Sequence, residues 1–232
     1  DTTMAMSDRR AERRVLGAGL TEQSDPAFER RGFRRVSRSL SYRRAVPGGY
    51  QRWAFDVELH PDTGGAYLFP AVEVVFPDVV DLARRMLPPG SDSLIHYSLR
   101  LTVATFAPPS RRSLIVRDES EAAEVAAWLA TMMGGRLGSV VDALATVGGF
   151  AETVASGALI EQPMTPVNWV SVAAAYLHLG EPARALAILE RHVERSNPVL
   201  AGHSRAFLGP RLAAGARTWS PALVALTPYP SA

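Results

Sequence analysis

The clearest pattern in the chain is a strict alternation of apolar and polar positions over residues 50–60. Trp53, Phe55, Val57 and Leu59 fall on one parity, and Arg52, Asp56, Glu58 and His60 fall on the other. A period of two predicts a β-strand with one buried and one exposed face. Residues 33–44, 66–76 and 94–106 carry related patterns, and the first two strands are separated by the turn sequence Pro47-Gly48-Gly49. The sequence therefore predicts about four strands.

A helical period of apolar residues replaces this alternation in other parts of the chain. It predicts short helices at residues 7–16 and 27–31 and a longer one at 77–87. Beyond Pro109 it predicts helices at residues 119–133, 139–147, 150–156, 165–179, 182–196 and 203–214. Strands with one polar face are typical of an antiparallel sheet that helices cover on one side. We expect an α+β fold in one continuous domain, with the sheet in residues 1–109 and a helical region in 110–232.

The polar face of the predicted sheet holds the residues that could carry catalysis. Asp56, Glu58 and His60 share one face of their strand, and His96 takes the polar parity of the strand at 94–106. Carboxylate and imidazole groups could bind Mg²⁺, Mn²⁺ or Zn²⁺ and activate water. The alternative interpretation is that they solvate the exposed side of a half-covered sheet, and this is the one we favour.

The composition excludes several kinds of chemistry. The chain has no cysteine, and all 25 of its basic residues are arginine. It therefore has no disulfide, no thiolate metal site, no Walker lysine and no lysine for a Schiff base with pyridoxal phosphate. No phosphate-cradling loop and no nucleophile elbow are found either. We expect no cofactor, and we expect His178 and His192 to be packing or surface residues.

The positive charge is concentrated near the beginning of the chain. Residues 1–52 contain twelve arginines against six acidic residues, whereas the remainder contains thirteen against seventeen. Six of the arginines lie on or beside the first predicted hairpin: Arg34, Arg35, Arg38, Arg43, Arg44 and Arg52. Such a cluster can attract nucleic acid or an acidic protein surface. Because Trp53 shares the buried parity of Phe55, too few aromatic residues remain beside the arginines for a base-stacking platform.

Residues 168–198 resemble a single helical hairpin of the tetratricopeptide type. The positions that match this repeat are Trp169, Val172, Ala173, Tyr176, Gly180, Ala185, Leu189 and Pro198. His192 departs from the pattern, because the repeat usually has a small residue there. Without a second copy at a fixed period, the resemblance implies a packing unit and not a peptide-binding array.

Residues 20–196 also resemble a bacterial family of uncharacterised domains that open with a short helix, Gly-Phe-basic-basic and a strand. The matching segments are Gly32-Phe33-Arg34-Arg35 and Tyr42-Arg43-Arg44, followed by a hairpin, a fourth strand and a helical C-terminal half. The resemblance implies this architecture and a bacterial origin. It assigns no catalytic residue.

These observations lead us to expect a non-enzymatic bacterial protein that binds another protein, in the manner of immunity or antitoxin proteins. Two alternatives stay open: a metal-assisted hydrolase that uses Asp56, Glu58, His60 and His96, and a nucleic-acid-binding protein that uses the arginines of the first hairpin. No segment has a signal-peptide pattern or enough consecutive apolar residues to span a membrane. We therefore expect a cytoplasmic protein without a membrane partner.

Overall fold

The computed structural model describes residues 25–36, 41–60, 65–107, 114–159 and 164–213. The strands are β1 (Arg34–Arg35), β2 (Ser41–Val46), β3 (Gly49–His60), β4 (Gly65–Val75), β5 (Leu99–Thr102) and β6 (Leu114–Val116). The helices are α1 (residues 25–29), α2 (Pro77–Met86), α3 (Glu119–Gly134), α4 (Arg136–Ala143), α5 (Val147–Ala155), α6 (Pro166–His178), α7 (Pro182–His192) and α8 (Pro198–Ala213). In these ranges no helix combines the length and the apolar character that a bilayer crossing requires.

The six strands form one sheet in the order β1-β2-β3-β4-β5, with β6 also paired to β4. The pairs β1–β2 and β4–β6 are antiparallel. With the helices of the C-terminal half, this arrangement confirms the predicted α+β class. The number of strands exceeds the prediction because the segment 33–44 supplies two paired strands, β1 and β2, and because β6 is too short to generate a recognisable alternation.

The alternation predicted for the second strand is present in β3. Trp53 and Phe55 are buried, whereas Arg52, Asp56 and Glu58 are exposed. The side chains of Val57, Leu59 and His60 lie outside the described part of the structure. The protein core therefore covers the face of β3 that carries Trp53 and Phe55.

The prediction of a strand over residues 94–106 is wrong outside Leu99–Thr102. A 3₁₀ turn at Asp92–Leu94 precedes β5, and another at Val103–Phe106 follows it. Ile95 is buried, but its carbonyl accepts a hydrogen bond from Arg84 Nε at 3.0 Å and not from a neighbouring strand. Ile95 thus fits the apolar positions of an alternating pattern although it lies in a loop. As a consequence, His96 is an exposed loop residue instead of a strand residue.

The chain divides into two compact units, and β3 and β4 contribute residues to both. Unit 1 comprises the described residues up to Ala45 together with Gln51–Val72 and Leu101–Asp142. It contains β1, most of β2, α1 and α3, and its core includes the aromatic side chains of Phe28, Phe33, Tyr42, Trp53 and Phe55. Unit 2 comprises Val46–Tyr50, Glu73–Arg100 and the described residues from Ala143 onward.

Helix α6 is the central element of unit 2. Every residue from Val170 to Leu177 is buried, and the helix packs against α2, α5 and α7. A helix that is covered on all sides is expected to be apolar around its whole circumference, which agrees with this sequence. Helices α6 and α7 form the predicted helical hairpin, and Ala173 and Ala185 are both fully buried in it.

Local hydrogen bonds explain where several helices begin and end. Thr165 and Asn168 form a capping box at the start of α6. At its end, Gly180 has a positive φ of 78° and donates its N–H to Leu177, while Glu181 donates to Tyr176. These bonds form a Schellman motif, in which glycine is favoured because the left-handed conformation strains other residues. The helix therefore ends within one residue of position 179, where the sequence predicts its end.

Helices α4 and α5 begin three residues earlier than the sequence predicts. In α5 the reason is a cap, since Thr146 accepts a hydrogen bond from the N–H of Gly149 at 3.0 Å. The glycine pair Gly148-Gly149 therefore lies in the first helical turn. Before α3, Asp118 caps the helix by accepting from the Glu121 N–H, and the Glu121 carboxylate accepts hydrogen bonds from Arg117 instead of completing a capping box.

The turn between β2 and β3 gives a test of backbone constraints. Gly48 has a φ of 75° with open space around it, whereas a Cβ at Gly49 would overlap the carbonyl oxygen of Val75. We expect Gly48→Ala to cost about 1 kcal/mol of unfolding free energy, and Gly49→Ala to cost more, roughly 2–3 kcal/mol, because a strand backbone must move. Urea unfolding of the two variants would measure both values, and equal costs would contradict the close approach.

Candidate binding surface

Three arginines lie side by side across three neighbouring strands. Strand β1 pairs with β2 so that Arg34 is opposite Arg43. A two-residue turn joins β2 to β3, and counting back along both strands from that turn places Arg43 opposite Arg52. All three residues are exposed. With neighbouring strands ~4.8 Å apart, they form a line about 10 Å long, which we call the arginine row.

The residues adjacent to the arginine row point to the opposite face of the sheet. There, the ring of Phe28 from α1 stacks on Tyr42, with centroids 4.3 Å apart, and meets Trp53 edge-on at 4.8 Å. Phe33 packs on Phe28 at 6.1 Å, and all four rings are buried. Because side chains alternate along a strand, burying these aromatic residues obliges Arg43 and Arg52 to face outward.

Arg44 belongs to the buried side, although the sequence groups it with the binding arginines. Its Nη1 donates to Asp142 at 2.8 Å and to the Arg31 carbonyl at 2.9 Å, and its Nη2 donates to the Val141 carbonyl at 3.1 Å. Its Nε donates to Gln51 at 2.7 Å. The guanidinium therefore joins strands β2 and β3 to helix α4.

Arg31 completes this polar cluster and was missed by the sequence analysis. Its guanidinium pairs with Asp142 and donates from Nε to the Met133 carbonyl at 2.6 Å. A Cβ at Gly138 would overlap the carbonyl oxygen of Met133 and the same guanidinium, so glycine is needed where Arg31 and this carbonyl meet α4. The sequence gives no sign of this role for Arg31. For Arg44 it gives one, because Arg44 lies two residues after Tyr42 and so shares the inward-facing side of the strand.

The other predicted binding arginines differ in position. Arg35 is exposed and lies opposite Tyr42 at the edge of the sheet, and Arg38 lies outside the described residues. The aromatic residues near them are largely inaccessible. Tyr42 is buried and donates its hydroxyl to Asp25 at 2.5 Å, while Tyr50 is half-buried. These two tyrosines thus offer little surface for base stacking beside the arginine row.

The residues considered for metal-assisted hydrolysis are spread over different elements. Asp56 and Glu58 are exposed on β3, His96 is exposed in the loop before β5, and the side chain of His60 is not among the described ones. Among the described residues, no group of three or more acidic or histidine side chains could hold a metal ion. The hydrolase hypothesis stays a prediction that the geometry of these residues does not favour.

An apolar patch shares the exposed face with the arginine row. On β4 the rings of Tyr67 and Phe69 stack with centroids 6.5 Å apart, and Phe69 is 44% exposed. Their neighbours Leu68 and Ala66 are buried, which assigns Tyr67 and Phe69 to the outer side of the sheet. The outward residues of unit 1 that we call the open face are Arg34, Arg43, Arg52, Ala54, Asp56, Glu58, Tyr67 and Phe69.

The charged groups of unit 2 form a separate, structural network. Arg184 on α7 pairs with Glu152 of α5 at 2.6 Å and with Glu181 at 2.9 Å, and it donates to the Tyr176 hydroxyl at 2.9 Å. The hydrogen bond from Arg184 lowers the pKa of Glu152, and burial raises the pKa of Tyr176. These contacts tie three helices together.

His192 is packed into the helical hairpin. Its ring stacks on Trp169 with centroids 3.7 Å apart and planes 7° from parallel, and its buried Nε2 has no hydrogen-bond partner among the described residues. Burial, and secondarily the charge of Arg191, lowers the pKa of His192. The imidazole is therefore neutral near pH 7. Here the residue that departs from the repeat pattern supplies a flat ring for Trp169.

No protein-family model matches the sequence, and neither a curated protein nor a solved structure is significantly similar to it. The resemblances to the tetratricopeptide hairpin and to the bacterial family therefore stay predictions.

The contacts of Arg44 predict a contrast with its neighbour on the strand. We expect Arg44→Ala to lower the unfolding free energy by roughly 2–3 kcal/mol, because Asp142 and two carbonyl groups lose a largely buried partner. Arg43→Ala changes an exposed side chain and should cost less than about 0.5 kcal/mol. Urea denaturation measures both, and similar costs would show that Arg44 does not hold α4 to the sheet.

The environment of His192 predicts a pH dependence of stability. The pKa of His192 is lower in the folded protein than the ordinary value of 6.5. The contribution of the neutral imidazole to the unfolding free energy is therefore complete above pH 6.5, and it is lost as the pH falls towards the folded pKa. The unfolding free energy of the wild type should therefore fall more steeply between pH 7 and 5 than that of His192→Gln. His178→Gln, on α6, is the matched control and should keep the pH dependence of the wild type. If His192→Gln also keeps it, His192 is not the source of the pH dependence.

Proposed function

We propose that the protein is a non-enzymatic binding module that uses the open face of unit 1 to bind an acidic surface of a protein partner. The observation that supports this most directly is the arginine row. Its three exposed arginines bring guanidinium groups together on one side of the sheet, and such groups form charge-assisted hydrogen bonds with the carboxylates of an acidic ligand.

A protein partner accounts for more of the open face than a nucleic acid does. Tyr67 and Phe69 offer an apolar centre beside the arginines, which is the usual anatomy of a protein interface. Asp56 and Glu58 on the same face would repel a continuous phosphate backbone, whereas a protein can place its acidic residues over the arginine row alone. The burial of Tyr42 and Trp53 removes the two aromatic rings next to the arginines that could otherwise stack on bases, which leaves Tyr67 and Phe69 as the aromatic residues of this face.

Neutralisation of a partner protein, as immunity and antitoxin proteins do, is the biological role that we propose for this surface. It requires surface complementarity and no catalytic group, and charged interfaces of this kind accelerate association. The prediction of a bacterial origin is compatible with that role.

A binding assay with two probes tests the proposal. We expect a fluorescently labelled poly-glutamate peptide to bind the wild type more tightly than a labelled oligothymidine of equal charge. Arg43→Glu should weaken peptide binding about tenfold or more and reduce its salt dependence. Fluorescence anisotropy at several salt concentrations measures both effects.

Arg195→Glu is the matched control, because it makes the same charge change at an exposed position of unit 2. Equal losses in the two variants would mean that only net charge matters and would refute a specific surface. Tighter binding of the oligothymidine would instead favour the nucleic-acid alternative.

A further inference from the structure

We infer that a second copy of the chain is one partner of the open face and supplies its acidic group in Asp56, so that two open faces pack against each other in a two-fold dimer. This inference rests on the proposed function, because it names the occupant of the same surface. It starts from a property that a purely acidic partner would not match: the open face carries charges of both signs.

The signs are separated along one strand. On β3, Arg52 and Asp56 are both exposed and lie two positions on either side of Ala54. Outward positions two residues apart on a strand are about 7 Å apart. The positive and negative positions are therefore equidistant from Ala54, at roughly 7 Å in opposite directions along the strand.

This spacing makes the strand complementary to itself. Consider a second copy that faces the first and is related to it by a 180° rotation about an axis that lies between the two faces, runs perpendicular to β3 and passes over Ala54. Arg52 of each copy then lies over Asp56 of the other, which gives two equivalent ion pairs. Such an interface uses one surface patch twice, as in the two-fold dimers that dominate among oligomers.

The residues around the axis permit close approach. Ala54 has a small side chain that is half-buried, so it leaves room for the facing strand. On the neighbouring strand, Phe69 is 44% exposed beside Tyr67 and would lose contact with water when the faces meet. Packed sheets lie ~10 Å apart, a separation that an arginine side chain can bridge to a carboxylate.

A partner whose acidic residues cover the whole open face, and not only the arginine row, fits less well than a second copy. It would bring like charge against Asp56 and Glu58, and juxtaposed like charges oppose association. The second copy instead presents a carboxylate to Arg52 and a guanidinium to Asp56. Charge complementarity therefore favours a partner surface that carries both signs at the spacing of Arg52 and Asp56.

The size of the face predicts a weak dimer. Four strands ~4.8 Å apart, over the ~27 Å from residue 50 to residue 58, give a projected area of roughly 500 Å². Stable interfaces bury ~800 Å² per partner. We therefore expect association in the micromolar range and strong sensitivity to salt.

Sedimentation equilibrium of the full chain tests the inference from ~1 to ~500 μM, at low and high salt. We expect the wild type to dimerise, and we expect Arg52→Glu and Asp56→Arg each to raise the dissociation constant about tenfold or more. The double variant, Arg52→Glu with Asp56→Arg, exchanges the two signs and should restore the dissociation constant to within about threefold. Arg195→Glu should leave it unchanged, and circular dichroism checks that every variant is folded.

A wild type that stays monomeric throughout this range would overturn the inference, as would a dimer that the single variants leave intact or that the double variant fails to restore. The outcome is separable from the proposed function. If the monomeric wild type still binds the poly-glutamate peptide through Arg43, only the identity of the partner is wrong. If the peptide also fails to bind, both proposals fall.

Discussion

The guanidinium of Arg44 lies on the buried face of strand β2, where Asp142 and the carbonyl groups of Arg31 and Val141 accept its hydrogen bonds. Tyr42, two residues earlier, is buried by Phe28 on the same face. Together these contacts fix the register of the first hairpin, because a slip of one residue would bring Arg43 into the core. The burial of Tyr42 and Arg44 on one side of β2 therefore makes Arg43 point to the other side.

The sequence was sufficient where burial follows a regular period and insufficient where single contacts decide. Trp53 and Phe55 were assigned to the core from alternation alone, and they are buried. Ile95 followed the same alternation, yet its carbonyl is bound by Arg84, which no period reveals. The six hairpin arginines looked equivalent, although Arg44 finds its acid partner about one hundred residues further along the chain.

In unit 2, too, regular patterns could be predicted from the sequence and single tertiary contacts could not. Its helical hairpin could be predicted from the spacing of small residues such as Ala173 and from the stop at Gly180. The stacking of His192 on Trp169, and the bond from the Ser204 hydroxyl to the Met86 carbonyl, depend on tertiary approach and could not. We therefore expect the stability of unit 2 to depend on pH and on polar pairing, whereas the proposed binding chemistry belongs to unit 1.

The central claim is that Arg34, Arg43 and Arg52 lie opposite one another on the outer side of the sheet. Backbone nuclear Overhauser effects between paired strands measure this register directly, without any substitution. We predict cross-strand contacts from Arg43 to Arg34 and to Arg52. Contacts from Arg43 to Gln51 or Trp53 instead would reveal a register shifted by one residue, and they would contradict both the arginine row and the interface proposed on it.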